Sequence, residues 1–170
     1  MTAMDIELDP PHGITGFPLG MPAAEVKAGA AALGGLQVQD DGVADQFRYM
    51  KVVALHPQFE ITFHLEDGKT LTSAEVWHPR PGPEEITVRF RGTDVFRTPA
   101  TAFFDLLEAG GQTVLREGDY AYAPGLPLGF TRTAGHEVPL DPDGETTYFE
   151  AVMVGPTGYY DYKLGSSSDD

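Results

Sequence analysis

Glu60 and Glu75 flank Asp67-Gly68, a spacing that can bring two carboxylates together. Asp-Gly between alternating apolar residues favours a two-residue type I′ hairpin turn. Residues paired across that turn have numbers summing to 135, so Glu60 faces Glu75, Phe63 faces Thr72, Ile61 faces Ala74 and Phe59 faces Val76. Like charges directly opposed cost about 0.2–1 kcal/mol. A general acid/base pair would use the repulsion to raise one pKa. An acidic binding patch would tolerate it, and carboxylates splayed into water would scarcely feel it. The same register places the single tryptophan, Trp77, with His64 and Leu71 on this face, away from Phe59, Ile61 and Phe63. An indole among aliphatic and acidic groups has the composition of a binding anchor. A loop or second layer covering it is the structural alternative.

Other chemistries find less support. His12, His56, His64, His78 and His136 form no H-x-x-x-H or H-E-x-x-H arrangement. Glu60 and His64 share a strand face but stand about 13 Å apart along it, too far for one metal ion. The chain has no G-x-S-x-G elbow, Walker loop or dinucleotide fingerprint. A serine triad would have to rely on Ser73. No metal or cofactor is expected.

The 170 residues carry a net charge of −15, which argues against nucleic acid and anionic membrane surfaces and favours a basic partner. There is no cysteine, hence no disulfide and no thiolate site. The acidic start Met1 to Asp9 is unlike a signal peptide, and no apolar run approaches the roughly 18 residues of a membrane span. A cytoplasmic protein is expected.

The elements that must position these residues recur. Pro22 opens a helical stretch ending at Gly34-Gly35, and Pro99 opens another ending at Gly110-Gly111, an offset of 77. Asp67-Gly68 recurs as Asp143-Gly144, an offset of 76. Such a period implies one supersecondary unit present twice. Val26, Ala30 and Leu33 form the apolar stripe of the first helix, and Phe103, Leu106 and Leu107 that of the second, with Thr98 as its N-cap. Leu36 to Gln46 reads as a polar loop with a short extended piece. Phe47 to Leu55, Phe59 to Leu65, Thr70 to Trp77 and Ile86 to Phe90 read as strands. Two short strands are expected in 112–133, a long loop in 134–145, and a last strand in 147–154 with Phe149, Ala151 and Met153 on the core side. The 77-residue offset then puts Tyr148 and Glu150 on the face of Trp77. The predicted organisation is an irregular arm (1–14), a first αβ repeat (15–80), a second (84–163) and a disordered acidic tail (164–170). The class is α+β, with helices on one face of an antiparallel sheet and the other face open.

The run Gly16-Phe17-Pro18-Leu19-Gly20-Met21-Pro22-Ala23-Ala24-Glu25-Val26, closing with Leu33-Gly34, resembles a helix opening in two families. These are the small outer-membrane lipoprotein (SmpA/OmlA-type) domain and the tandem halves of the beta-lactamase inhibitory proteins. In both, a helical hairpin precedes an antiparallel sheet. In the inhibitors, two such units form one concave sheet that grips a protein. Those proteins use disulfides or a lipidated cysteine, which this chain lacks, so the resemblance implies the sheet and not the target. The expected function is non-enzymatic protein binding, inhibitor- or immunity-like, through Trp77, Glu75, Glu60, His64, Leu71, Tyr148 and Glu150. The alternatives are a small-molecule-binding protein or enzyme with a Glu60/Glu75/His64 cleft on that face, and an accessory subunit that buries the face in a homodimer.

Overall fold

A computed structural model describes residues 4–40, 49–132, 140, 142, 144 and 146–165. In chain order its elements are β1 (Met4–Asp9), β2 (Gly13–Ile14), β3 (Phe17–Pro18), α1 (Ala23–Leu33), β4 (Gly35–Asp40), β5 (Met50–His56), β6 (Phe59–Leu65) and β7 (Ser73–Trp77). Then follow β8 (Ile86–Phe90), β9 (Thr93–Asp94), α2 (Ala100–Ala109), β10 (Leu115–Glu117), β11 (Tyr120–Ala123), β12 (Leu128–Thr131), β13 (Ala151–Val154) and α3 (Asp161–Gly165). The fold is α+β. An eight-stranded antiparallel sheet has the order β10-β11-β12-β13-β7-β6-β5-β4, and a five-stranded sheet the order β3-β2-β1-β8-β9. A helix followed by four strands thus occurs twice, and the two sets meet where β7 pairs with β13. A single helix, not a helical hairpin, precedes each set.

Corresponding loops satisfy the first helical N–H groups. Ala23 N–H donates to the Lys69 carbonyl (2.8 Å), and Ala100 N–H to the Thr147 carbonyl (2.8 Å). Thr98 therefore does not cap α2: the cap position is Pro99, with no side-chain bond. The tertiary carbonyl takes over what a threonine hydroxyl would have done.

One face of the large sheet is apolar. Val52, Ala54, Ile61, Phe63, Ala74, Val76, Val152, Val154, Leu128 and Phe130 share a core with Val26 and Ala30 of α1 and Phe103, Phe104 and Leu107 of α2. Phe149 packs edge-on to Phe103, with ring centroids 5.5 Å apart. The small sheet adds Ile6, Leu8, Ile86 and Val88 to the same core. This corrects the expected irregular arm at 1–14. Ile6 and Leu8 alternate with Asp5, Glu7 and Asp9, and the strand they form runs parallel to β8, pairing Ile6 with Val88.

The central hairpin keeps its predicted faces and loses its predicted register. Observed pairs are Ile61 with Val76, Thr62 with Glu75, Phe63 with Ala74 and His64 with Ser73. A type I′ turn needs positive φ at both central residues. Gly68 has it (71°), whereas the only described non-glycine residues that do are Arg91 and Pro127. Asp67 instead folds a wider loop. Its Oδ1 accepts N–H bonds from Lys69 and Thr70, both 2.8 Å, and these bonds pull its carboxyl below the ordinary carboxylate range. Thr72 Oγ1 accepts the Glu66 N–H at 3.0 Å. The slip is two residues, so each side chain stays on its own face.

Three further expectations change. The region 112–133 holds three strands rather than two. On β13 the core-facing residues are Val152 and Val154, not Ala151 and Met153, because Ala151 pairs with Trp77 and Met153 with Glu75. The alternation breaks at Glu150, so Phe149 reaches the core nonetheless. Leu164 and Gly165, placed in the tail by the sequence, end α3, and 166–170 lie outside the described residues. So do 41–46 of the expected polar loop and most of 134–145.

Candidate functional site

The second face of the large sheet follows from the pairing. From β6 and β7 it presents Glu60, Thr62, His64, Ser73, Glu75 and Trp77. From β13, β12 and β11 it presents Ala151, Met153, Gly129, Thr131, Tyr120 and Tyr122. Glu60, Glu75, His64 and Trp77 therefore share a face, as the sequence predicts. Glu60 and Glu75 do not oppose one another. Thr62 stands across from Glu75, and Glu60 pairs with Leu55 of β5. The carboxylate pair that could have split its pKa values is not assembled.

Trp77 is half-buried, and its indole N–H donates to Thr62 Oγ1 at 3.1 Å. Its strand neighbour across the β7–β13 seam is Ala151, small enough to leave the ring room. Leu71 is not beside it. Leu71 lies in the loop before β7, where its N–H donates to the Met21 carbonyl (2.9 Å) and its carbonyl accepts from Gly20 (2.8 Å). Those bonds pin the loop beneath the entry to α1 and bury Leu71 in the core. Tyr148 is also elsewhere: its ring lies 6.4 Å from that of His78, which meets Phe96 edge-on. Glu150 serves the sheet through its backbone, donating to the Thr131 carbonyl (2.8 Å) and accepting from the His78 N–H (2.7 Å). The register gives Ala151, not Glu150, to the face of Trp77.

His64 is mostly buried. Its Nδ1 hydrogen-bonds the Tyr49 hydroxyl, and its Nε2 lies 3.7 Å from Glu75 Oε1, too long for a hydrogen bond. Ser73 sits directly across from His64 and is fully buried. Neither Ser73 Oγ nor His64 Nε2 bonds the other. A serine, a histidine and a glutamate thus neighbour one another without the hydrogen-bond chain that activates a nucleophile. Among the described residues, no three metal-ligating side chains converge. Nor is any helix among the described residues long and apolar enough to cross a membrane.

The C-terminal segment supplies what the sequence reading missed. Tyr160 lies on Gly129 and is 5% exposed. Its ring is 5.1 Å from that of Tyr122 and 5.0 Å from that of Tyr159. Burial, with Tyr159 and Glu75 nearby, pushes the Tyr160 phenol far above its ordinary range. Tyr159 donates to Glu66 Oε1 at 2.9 Å, and burial, followed by that carboxylate, pushes its phenol up to about 12. Between this segment and the sheet lies a cleft of about 250 Å³ with Glu75, Tyr120, Tyr122, Met153, Tyr159, Tyr160 and Tyr162 in its lining. The aromatic run at 159–162 was visible as composition. That it folds back over a sheet face could be recognised only from Gly129, a residue whose missing Cβ makes room for a ring.

In comparisons with known proteins, no family model, curated protein or solved structure matches this chain.

Proposed function

We propose that this is a non-enzymatic binding protein whose second sheet face, centred on Trp77, Glu60 and Glu75, contacts a basic protein. One observation carries the reading. Helices α1 and α2 and the small sheet pack against one face of the eight-stranded sheet, while the other gathers half-buried acidic and aromatic side chains from both strand sets. Aromatic anchors within an acidic surround suit capture of a cationic partner, and the charge of −15 would speed encounter. The resemblance to the beta-lactamase inhibitory proteins supports the same use, since each of the two strand sets follows a helix in one continuous sheet. The 250 Å³ cleft favours a second reading, a small-molecule site beside Glu75. Ser73 and His64 argue for binding there rather than catalysis.

The test is capture of proteins from native lysate by wild type, Trp77→Ala and Glu60→Lys, with affinity then measured on the purified partner. The expected partner is basic, binds more weakly as salt rises, and loses at least tenfold in affinity to either folded variant. Equal binding by both variants would reject the face.

A further inference from the structure

We infer that the cleft between the C-terminal segment and β7–β13–β12–β11 takes the alkylammonium end of a lysine side chain from the partner protein. This deepens the binding role proposed above and rests on it. The lining combines the Glu75 carboxylate with the rings of Tyr120, Tyr122, Tyr159, Tyr160 and Tyr162. At about 250 Å³ the space is below the roughly 300–1,000 Å³ usual for whole small-molecule ligands, and it suits the tip of a side chain.

The chain itself shows which chemistry these rings accept. Lys163 of α3 places its ammonium 4.6 Å from the centre of the Tyr122 ring and 5.3 Å from that of Tyr162. A cation within about 6 Å of a ring centre is drawn to its negative face. The charge of Lys163 is paired with Glu117, at 2.8 Å, and not with Glu75. Among the described residues no lysine or arginine pairs with Glu75, whose side chain is 16% exposed and lies 3.7 Å from His64 Nε2. A mostly buried carboxylate in the lining of a tyrosine cleft is costly unless a cation meets it. Lys163 thus holds two rings of the site without neutralising its acid, and it competes with an incoming lysine for those rings. Removing a competitor raises apparent affinity by the inverse of the fraction of sites it had left open.

Nα-acetyl-lysine methylamide is the probe, with the norleucine analogue as its uncharged counterpart, each titrated into the full chain and followed by amide NMR shifts. Lysine should shift Gly129, Tyr122 and Met153 saturably, and norleucine should bind at least tenfold more weakly. Lys163→Met should tighten lysine binding about three- to tenfold, and Glu75→Gln should weaken it at least fivefold. Tyr162 is 66% exposed, so Tyr162→Ala leaves the fold intact and should weaken binding about threefold even where Glu75→Gln does not fold. Norleucine binding as well as lysine, or no saturable shift in the Lys163→Met protein, overturns the inference. If lysine fails while Trp77→Ala still abolishes partner capture, the cleft is wrong and the binding face stands. Lysine binding together with partner capture that is indifferent to Trp77 and Glu60 has the opposite meaning.

Discussion

Gly129→Ala is the sharpest probe of how the C-terminal segment is held. Gly129 has no positive φ, so its backbone would accept alanine without strain. The obstacle is the Tyr160 ring. A Cβ at position 129 would stand 2.3 Å from the phenol oxygen and 2.8 Å from Cζ. Contacts between carbon atoms relax at roughly 3.5–4.0 Å, so the ring must retreat by about 1 Å. A buried tyrosine removes about 150–250 Å² from water. At about 25 cal/mol per Å² that amounts to roughly 4–6 kcal/mol as an upper bound. A 0.5–1 Å gap forfeits a quarter to a half of the contact energy, here about 1–3 kcal/mol. Against that, replacing a strand glycine gains about 0.5–1 kcal/mol. Gly129→Ala should therefore destabilise the wild type by about 1–2 kcal/mol. In a Tyr160→Ala background the clash is gone, and the same change should stabilise by about 0.5–1 kcal/mol. Urea unfolding of the four proteins measures the coupling, expected at about 1–3 kcal/mol, and hydrogen exchange at 159–165 should rise above wild type both in Gly129→Ala and in Tyr160→Ala. A coupling under about 0.5 kcal/mol would refute the docking of Tyr160 on Gly129.

Two other outcomes follow from the same geometry. Leu71→Ala should cost about 2–5 kcal/mol in urea unfolding, as for any buried leucine, while partner affinity per folded molecule stays unchanged; a binding loss with unchanged stability would return Leu71 to the exposed face. Tyr159 should ionise near pH 12 in the folded protein against about 10 in the unfolded chain. Its contribution is therefore intact below pH 10 and lost as pH rises from about 10 to 12, because the unfolded state sheds its proton first. The urea midpoint should fall over that window, less steeply in Tyr159→Phe, and a spectrophotometric phenolate titration of the variant should lack one late-titrating group.

The sequence disclosed faces more readily than partners. Phe59, Ile61 and Phe63 alternate with Glu60, Thr62 and His64, and that period survives any even slip, so the face of Trp77 was legible without the register. The register depended on φ at Asp67, and Asp-Gly is as compatible with a side-chain-bonded loop as with a type I′ turn. Leu71 followed the loop to the core for the same reason. On β13 the run Ala151-Val152-Met153-Val154 is apolar at every position, so periodicity could not choose a face. Ile6 and Leu8 did alternate, but the strand they form ends at Asp9, directly before the clustered Pro10, Pro11 and Gly13, whose composition is that of irregular chain. Pro22 and Pro99, with the pairs Gly34-Gly35 and Gly110-Gly111, marked both helices, and Ala23 and Ala100 donate to the Lys69 and Thr147 carbonyls in the same way.

The β7–β13 seam decides what the second sheet face presents. Glu75 and Trp77 come from one strand set, and Met153, Gly129 and Tyr122 from the other. The segment carrying Tyr159, Tyr160 and Lys163 leaves β13 at Val154 and crosses back over both, with Tyr159 bonded to Glu66 of the first set and Lys163 to Glu117 of the second. Neither set alone contains an acid, a tyrosine cleft and the lysine that samples it. Core packing alone would be served by any pair of apolar-faced sheets. The placement of Ala151 beside Trp77 and of Gly129 beneath Tyr160 is different in kind, because it concerns the face that the core does not use. Small residues at those two points keep aromatic rings on the sheet surface, and a surface built to hold rings is one on which a cation gains most.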